Sequence, residues 1–138
     1  MIKKLSDDEA YQLLRQGKLA RLGCIDEGRP YVVPVNYYWE RDSAYIHSLP
    51  GRKLEALRDN AAACLQVDDI SSNVAWRSVL AFGEYEEVHN ENERTRLLEA
   101  ICDRFPYLTP VESRSTDSAK DAVIFRIRVT ELCGVREG

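Results

Sequence analysis

The sequence predicts a small antiparallel β-barrel with peripheral α-helices. Six segments rich in β-branched and aromatic residues are separated by short turns, a pattern typical of all-β meanders and barrels. The clearest segment is 123–130, where apolar residues alternate with Arg126, Arg128 and Thr130 as the two faces of a strand require. Such a final strand can close the sheet and remove exposed edges. With 138 residues, we expect a single domain over 1–138.

The first predicted element is a short amphipathic helix. Ser6 and Glu9 have the spacing of a capping box, in which the hydroxyl and the carboxylate each accept a free backbone N–H. Leu13 and Leu14 supply the apolar side, and Gly17 is a suitable helix end. We expect this helix to cover one end of the sheet.

Three strands joined by short turns are predicted next, over 19–25, 31–39 and 44–48, which describes an antiparallel meander. The chain then continues with a helix, two strands, a second amphipathic helix and a polar irregular segment. We place these at 51–60, 62–68, 74–88 with a bend at Gly83, 90–105 and 106–120, with a loop that starts at the Asp68–Asp69 pair.

The composition argues against several partners and compartments. Basic residues number 19 against 23 acidic ones, a formal net charge of −4, which disfavours nucleic acid and anionic membranes. No stretch approaches the ~20 apolar residues that span a bilayer, and residues 1–9 turn acidic where a secretory signal is apolar. We therefore expect a cytoplasmic protein. The cysteines have no metal-ligand spacing and are expected to be buried thiols: Cys24, Cys64, Cys102 and Cys133.

The junction between the third strand and the next helix indicates a ligand site. The strand ends at His47 and Ser48, and the helix follows Gly51 with Arg52 and Lys53 in its first turn. Cations are electrostatically unfavourable there, because the helix dipole and free N–H groups attract anions. A bound phosphate would remove the conflict by accepting hydrogen bonds from the backbone and both side chains. The alternative is that both cations are simply solvated.

Two other segments are candidates for binding. Pro34 lies within a predicted strand, where proline marks either an edge strand or a place where another group takes the neighbouring hydrogen bonds. Trp76 is flanked by polar residues and suits a stacking platform, an interface anchor or a core position equally well.

Motifs of common hydrolases and nucleotide-dependent enzymes are missing from the sequence. It has no Gly-x-Ser-x-Gly, no His-Glu-x-x-His and no paired-glycine dinucleotide fingerprint. No side chain stands out as a general acid or base, so we assign no catalytic residue, and we predict no metal site. His47 is interpreted as structural, with ligand contact as the alternative, and His89 as a solvated turn residue.

The order of these motifs resembles a known family. The segments are Gly28–Tyr37, Tyr45–Leu54, Trp76–Val79 and Phe82–Gly83. Together they resemble the FMN-binding split-barrel proteins related to pyridoxamine 5′-phosphate oxidase, nearest the branch that contains the nitroimidazole-resistance proteins. The resemblance covers most of the chain, from the first helix through the second amphipathic one.

The resemblance implies a mostly β, six-stranded antiparallel split β-barrel that forms a homodimer with two FMN sites at the subunit interface. It places the FMN phosphate on Arg52 and Lys53, and Trp76 and Ser78 beside the flavin of the partner subunit. It also implies that the aromatic residues at 37–39 are partly interfacial. The implied cofactor-binding residues are Val33, Pro34, Val35, Asn36, His47, Ser48, Gly51, Arg52, Lys53, Trp76 and Ser78.

The implied activity is an FMN-dependent oxidoreductase that transfers hydride or electrons between a reduced nicotinamide donor and an unidentified small molecule. Two alternatives on the same barrel stay open: a non-catalytic flavin carrier or sensor, and haem binding through His47 or His89. Some relatives bind a deazaflavin. Residues 130–138 lack the arginine-rich segment of pyridoxamine phosphate oxidases, and Arg52 replaces a histidine of several nitroimidazole-resistance relatives. Both departures argue against those particular activities.

Overall fold

The computed structural model describes residues 1–106 and 122–138, so the expectation of a lid or a loop over 106–120 lies outside the described residues apart from Pro106. The secondary structure agrees with the predicted order of strands and helices. Its elements are β1 (Lys3–Lys4), α1 (Asp7–Gln16), β2 (Leu19–Asp26), β3 (Arg29–Asn36), β4 (Tyr38–Glu40), β5 (Ser43–Ser48), α2 (Arg52–Asp59), β6 (Ala62–Ser72), β7 (Ala75–Glu87), α3 (Glu91–Arg104) and β8 (Val123–Glu137).

The strands form one eight-stranded antiparallel sheet in the order β3-β2-β6-β7-β8-β5-β4, with β1 paired to the end of β8. The count exceeds the predicted six for two reasons. First, Lys3 and Lys4 form a short additional strand that pairs with β8 beside Arg136. Second, the predicted strand 31–39 is interrupted at Tyr37 and therefore forms two strands, β3 and β4. The final strand joins the two parts of the sheet, since β8 pairs with both β7 and β5.

The predicted three-stranded meander forms as two separate pairs, the β2–β3 hairpin and the short β4–β5 hairpin, and not as three neighbouring strands. β3 and β5 lie near opposite ends of the strand order and do not pair. The cause is Tyr37, whose N–H donates to the carbonyl of Lys18 while its ring turns into the core, 1% exposed. This inward turn separates β4 and β5 from the hairpin. Trp39 is likewise buried, at 9% exposure, whereas Tyr38 is partly exposed, so a partly interfacial role for residues 37–39 stays a prediction.

α1 is fixed at both ends by side chains. The predicted capping box forms at its start, as expected. At its end, the Tyr37 hydroxyl donates to the carbonyl of Leu14 at 2.7 Å, and Arg104 of α3 donates to the carbonyl of Gln16 at 2.7 Å. The final carbonyls of a helix have no partner within it, so these bonds satisfy groups that would otherwise need water. Burial raises the pKa of Tyr37, which keeps its hydroxyl a donor.

Two other sequence-based expectations are wrong. The segment that starts at Asp68 is not a loop, because β6 continues to Ser72 in pairing with β7. Its carboxylates are compensated on the strand, where Asp69 pairs with Arg77 at 2.8 Å. The cysteines are not uniformly buried, since Cys24 is buried but Cys102 and Cys133 are exposed. Among the described residues, no helix combines the length and apolar character needed to cross a bilayer.

The bend predicted at Gly83 coincides with a shift in strand register. Phe82 pairs with Glu131 and Gly83 with Val129, so β8 carries an extra residue at this point. A side chain at position 83 would be excluded, because a Cβ atom there would lie 2.1 Å from the carbonyl oxygen of Arg128. The long pair of strands that unites the sheet therefore depends on a glycine.

We expect Gly83→Ala to lower the free energy of unfolding by about 1–3 kcal/mol, since the added methyl group must push two strands apart. Gly51→Ala is the matched control, because a Cβ at position 51 meets nothing within 4 Å and the backbone there is extended. Urea denaturation of the purified proteins without added ligand measures both. Equal midpoints for the two variants would contradict the close approach of β8 to Gly83.

Candidate functional site

One wall of the candidate site is a face of the β2–β3 hairpin. Glu27 and Gly28 both have positive φ, 50° and 78°, which suits a two-residue turn between twisted strands. The register pairs Asp26 with Arg29 and Cys24 with Tyr31. Since alternate residues of a strand face the same side, Arg29, Tyr31 and Val33 share one face. This face looks towards the start of α2, where Arg52 reaches both Asp26 and Tyr31.

The opposite wall is the connection from β5 to α2. β5 ends at His47 and Ser48, and the Ser48 hydroxyl donates to the carbonyl of Leu49 at 2.8 Å. α2 is anchored by Leu54 and Leu57, both fully buried, so its first turn has a fixed position beside the hairpin. An open cavity of about 370 Å³ lies between the two walls, within the range of ~300–1,000 Å³ found for small-molecule sites. It is lined by Tyr31, Val33, His47, Ser48, Leu49, Pro50, Gly51, Arg52 and Lys53.

Arg52 is held at the rim of this cavity by two contacts. Its Nε donates to Oδ2 of Asp26 at 2.6 Å, and its guanidinium carbon lies 5.0 Å from the centre of the Tyr31 ring. The hydrogen bond to Asp26 raises the pKa of Arg52, which stays charged. Within the described parts of the chain, the two terminal nitrogens of Arg52 make no hydrogen bond. These donors remain available to a ligand.

Lys53 is a partly buried cation without a compensating charge. It makes no hydrogen bond or ion pair with any residue in 1–106 or 122–138. Burial lowers the pKa of its ammonium group, because desolvation penalises the charged form. The N-cap Gly51 offers no side-chain acceptor to the free N–H groups of the same turn. The start of α2 therefore combines donors and positive charge that an anion would stabilise.

A comparison with known families decides where this chain belongs. The family model of pyridoxamine 5′-phosphate oxidase matches residues 6–136, nearly the whole chain. The chain belongs to the pyridoxamine 5′-phosphate oxidase family. The resemblance drawn from the sequence motifs is thereby confirmed, and so is the predicted split-barrel fold, although the sheet has eight strands.

Two solved structures and one curated protein illustrate what this chain is similar to. An FAD-binding protein of Mesorhizobium loti is 28% identical, with a TM-score of 0.82 over 100% of this chain and 99% of that one. A proposed 5-nitroimidazole antibiotic resistance protein of Bacteroides thetaiotaomicron is 23% identical, with a TM-score of 0.76 over 99% and 89%, which supports the fold. An uncharacterised protein of Rhizobium meliloti is 34% identical over 87 residues, which cover 63% of this chain and 58% of that relative.

In this family member, only some of the predicted cofactor-binding residues surround the cavity. Pro34 and Asn36 are exposed on the opposite face of β3 from Val33, and Val35 is buried in the core. β3 is the end strand of the sheet order, so the edge-strand interpretation of Pro34 is confirmed. The predicted residues that do line the cavity are Val33, His47, Ser48, Gly51, Arg52 and Lys53.

Neither Trp76 nor Ser78 lines the cavity of its own chain. Trp76 pairs with Ile70, near the end of β6. Tyr31 of the cavity lining pairs with Cys24, and Cys24 pairs with Ala63, so Tyr31 and Ala63 lie at the same position along their strands. The seven residues from Ala63 to Ile70 span about 23 Å at ~3.3 Å each. Ser78 accepts a hydrogen bond from Gln66 at 3.0 Å. Their predicted contact with the flavin therefore requires a second copy of the chain and stays a prediction.

The sequence analysis missed Asp26 and Tyr31, which position Arg52. Tyr31 carried a signal, because it is two residues before Val33 and therefore on the same face of one strand. Asp26 carried none, since 26 positions separate it from Arg52 and only the folded hairpin brings them together. Leu49 and Pro50 complete the lining from the connection itself.

We expect Lys53→Met to raise the melting temperature of the flavin-free protein at pH 7.5 by roughly 1–4 °C, because it removes an uncompensated charge and keeps the apolar stem. The pKa of Lys53 is lowered on folding, so this penalty is complete at neutral pH. The penalty decreases as pH rises from the lowered pKa of the folded state towards 10.5, the ordinary pKa of lysine. In this interval Lys53 loses its proton in the folded protein but keeps it in the unfolded chain. The gain should therefore shrink at pH 10.

The control for this measurement is Lys3→Met, which changes an exposed lysine of β1. Differential scanning calorimetry of the three proteins at both pH values gives the comparison. A melting temperature that falls in Lys53→Met at pH 7.5, with Lys3→Met unchanged, would contradict an uncompensated charge at position 53.

Proposed function

We propose that the cavity binds the flavin nucleotide FMN and that the protein is a flavin-dependent oxidoreductase. The observation that carries the proposal is the start of α2, where, among the described residues, Lys53 has no counter-charge and the terminal nitrogens of Arg52 make no hydrogen bond. A terminal phosphate supplies the negative charge that Lys53 lacks and acceptors for the terminal nitrogens of Arg52. Membership of the pyridoxamine 5′-phosphate oxidase family and the 28% identity to an FAD-binding protein favour a flavin over other phosphate esters.

The proposed roles follow from the positions of the side chains. Lys53 provides a point charge to the phosphate, Arg52 its two terminal nitrogens, and the first turn of α2 its free N–H groups. The Ser48 side chain lies at the same end of the cavity. Val33 and the ring of Tyr31 offer an apolar wall to the rest of the flavin. The phosphate end would thus be fixed by charge and the aromatic end by packing.

A second copy of the chain is part of the proposal. The cavity is open on one side, and neither Trp76 nor Ser78 of the same chain lines it. We therefore propose a homodimer in which each flavin lies between the α2 start of one subunit and the β6–β7 hairpin of the other. The exposed apolar residues Ile70 and Val74 on that hairpin, at 64% and 68% exposure, are consistent with burial against a partner.

The chemistry proposed for the site is redox chemistry supplied by the flavin, which passes hydride or electrons from a reduced nicotinamide donor to a small molecule. The chain's own contribution is to bind the phosphate, orient the ring and exclude water from it. Among the described residues, those that line the cavity include no carboxylate and therefore no pair of acidic groups for hydrolytic acid–base chemistry. His89, a haem-ligand candidate from the sequence, has an 81% exposed side chain beside Glu87 and lines neither described cavity.

The combined variant Arg52→Ala/Lys53→Ala should weaken FMN binding at least about tenfold, since each charge-assisted hydrogen bond contributes about 1.5–3 kcal/mol. Fluorescence titration of the flavin-free protein with FMN measures the loss. Lys3→Ala/Lys4→Ala is the charge-matched control, because both lysines are exposed on β1.

Riboflavin provides the second control for this variant. It lacks the phosphate, so its weaker affinity should be the same in the wild type and in both variants. Unchanged FMN affinity in Arg52→Ala/Lys53→Ala would refute the phosphate position. A Soret band and no flavin spectrum in the purified protein would favour haem binding instead.

The shared site can be tested by mixing two inactive variants. Lys53→Ala and Trp76→Ala alone should each bind FMN poorly, whereas a refolded mixture contains heterodimers with one intact site and should regain up to about a quarter of the wild-type sites, as random pairing of equal amounts predicts. Equilibrium dialysis measures the stoichiometry. No recovery on mixing, with dimers present by light scattering, would contradict a site formed by two subunits.

Catalysis is separated from simple flavin storage by an anaerobic experiment. We expect NADH or NADPH to bleach the visible absorption of the flavin-loaded protein, and a quinone or nitroaromatic compound to restore it. Free FMN at equal concentration is the control. A flavin that neither donor bleaches faster than the control would favour a non-catalytic carrier.

A further inference from the structure

A row of hydrogen-bonded polar side chains crosses the outer face of β2, β6 and β7, on the side of β6 opposite to the buried Val67. Arg21 donates from Nη1 to Oδ2 of Asp68 at 3.1 Å, and Gln66 donates from Nε2 to the same oxygen at 3.0 Å. The same nitrogen of Gln66 also donates to Oγ of Ser78 at 3.0 Å. This polar row therefore begins at the cation Arg21 and ends at the Ser78 hydroxyl.

The chemistry of its members fixes the direction of the bonds in the polar row. A carboxylate only accepts hydrogen bonds, so the end of the Gln66 amide that faces Asp68 is the NH2 group. That group has two hydrogens, and the second one is directed to Ser78. The Ser78 oxygen is thus the acceptor, and its own hydrogen is left for another partner. In the described parts of the chain, Ser78 makes no other hydrogen bond.

Gln66 also keeps the Ser78 hydroxyl from turning towards Asp68. Asp68 lies directly opposite Ser78 in the register of β6 and β7, and a carboxylate is the strongest acceptor available to a neighbouring hydroxyl. The Gln66 amide occupies Oδ2 of that carboxylate and donates to Ser78 at the same time. Ser78 shares its face of β7 with Trp76, two positions earlier, so its unused donor lies beside the tryptophan.

We propose that Gln66 is a positioning residue, which keeps Ser78 as a hydrogen-bond donor to the flavin ring bound by the other subunit and thereby raises the reduction potential of that flavin. The inference rests on the proposed flavin site and homodimer. The reduced ring carries more electron density on its nitrogen and oxygen atoms than the oxidised ring, so a donor stabilises the reduced form more strongly. Gln66 acts only through Ser78 and does not touch the flavin.

The test is the midpoint potential of the FMN-loaded protein, measured by anaerobic spectroelectrochemical titration. Loss of one neutral hydrogen bond should lower the affinity for reduced FMN, relative to oxidised FMN, about two- to tenfold. For a two-electron couple this is a fall of roughly 9–30 mV. We expect the fall in both Ser78→Ala and Gln66→Met, and also in Gln66→Asn, whose shorter side chain does not reach Ser78.

Two variants should keep the wild-type potential. Ser78→Thr retains the hydroxyl group, so it retains the donor. Gln12→Met changes an exposed glutamine of α1 and is the matched control for Gln66→Met. The double variant Ser78→Ala/Gln66→Met should have the same potential as Ser78→Ala alone, because a residue that acts only through Ser78 has no effect once the hydroxyl is gone.

The other outcomes separate this inference from the function on which it rests. A further fall in the double variant, or wild-type potentials in both Gln66 variants beside a lowered one in Ser78→Ala, would overturn the positioning role of Gln66. Wild-type potentials in all single variants, with FMN bound, would overturn the inference and leave the flavin site standing. Failure of the wild type to bind FMN would refute the flavin site itself, and the inference with it.

Discussion

The charge of Lys53 is the constraint on which the functional argument depends. An ammonium group that is partly removed from water and has no counter-ion costs folding free energy. α2 does not lessen this cost, because its N-terminal dipole adds further positive potential at the same place. Proteins tolerate such local conflicts mainly where a ligand resolves them. The unfavourable charge is therefore the strongest support for the proposed anion site.

Arg52 differs from its neighbour in being positioned before any ligand binds. Asp26 and Tyr31 hold its guanidinium by a hydrogen bond and a ring contact, which limits the side-chain entropy lost on binding. In the proposed site, Lys53 supplies positive charge, and the fixed guanidinium of Arg52 sets the orientation of the bound phosphate. Asp26 and Tyr31 lie on the two strands of the β2–β3 hairpin. This hairpin is kept in place by the pairing of β2 with β6, so the geometry of the site follows from the sheet.

The sequence predicted the strands, the helices and the start of α2 because their signals are local. Alternation predicted β8 as far as Thr130, the Ser6–Glu9 spacing predicted the start of α1, and two adjacent cations after Gly51 predicted the proposed anion site. The sequence failed where distant residues decide the outcome. Tyr37 turns into the core because Leu14 and Lys18 accept its hydrogen bonds. This contact divides the predicted strand 31–39 into β3 and β4, so the three predicted strands do not form one meander. The partnership of Asp26 with Arg52 was invisible for the same reason.

The most direct test of the uncompensated charge is the ionisation of Lys53 itself, followed by NMR of protein labelled with ¹³C at lysine Cε. The account predicts a pKa below 10.5 in the flavin-free protein and a rise on addition of FMN, since a bound phosphate favours the ammonium form. Riboflavin should leave the value unchanged. A Lys53 signal that titrates like the exposed Lys3, with no response to FMN, would contradict the account.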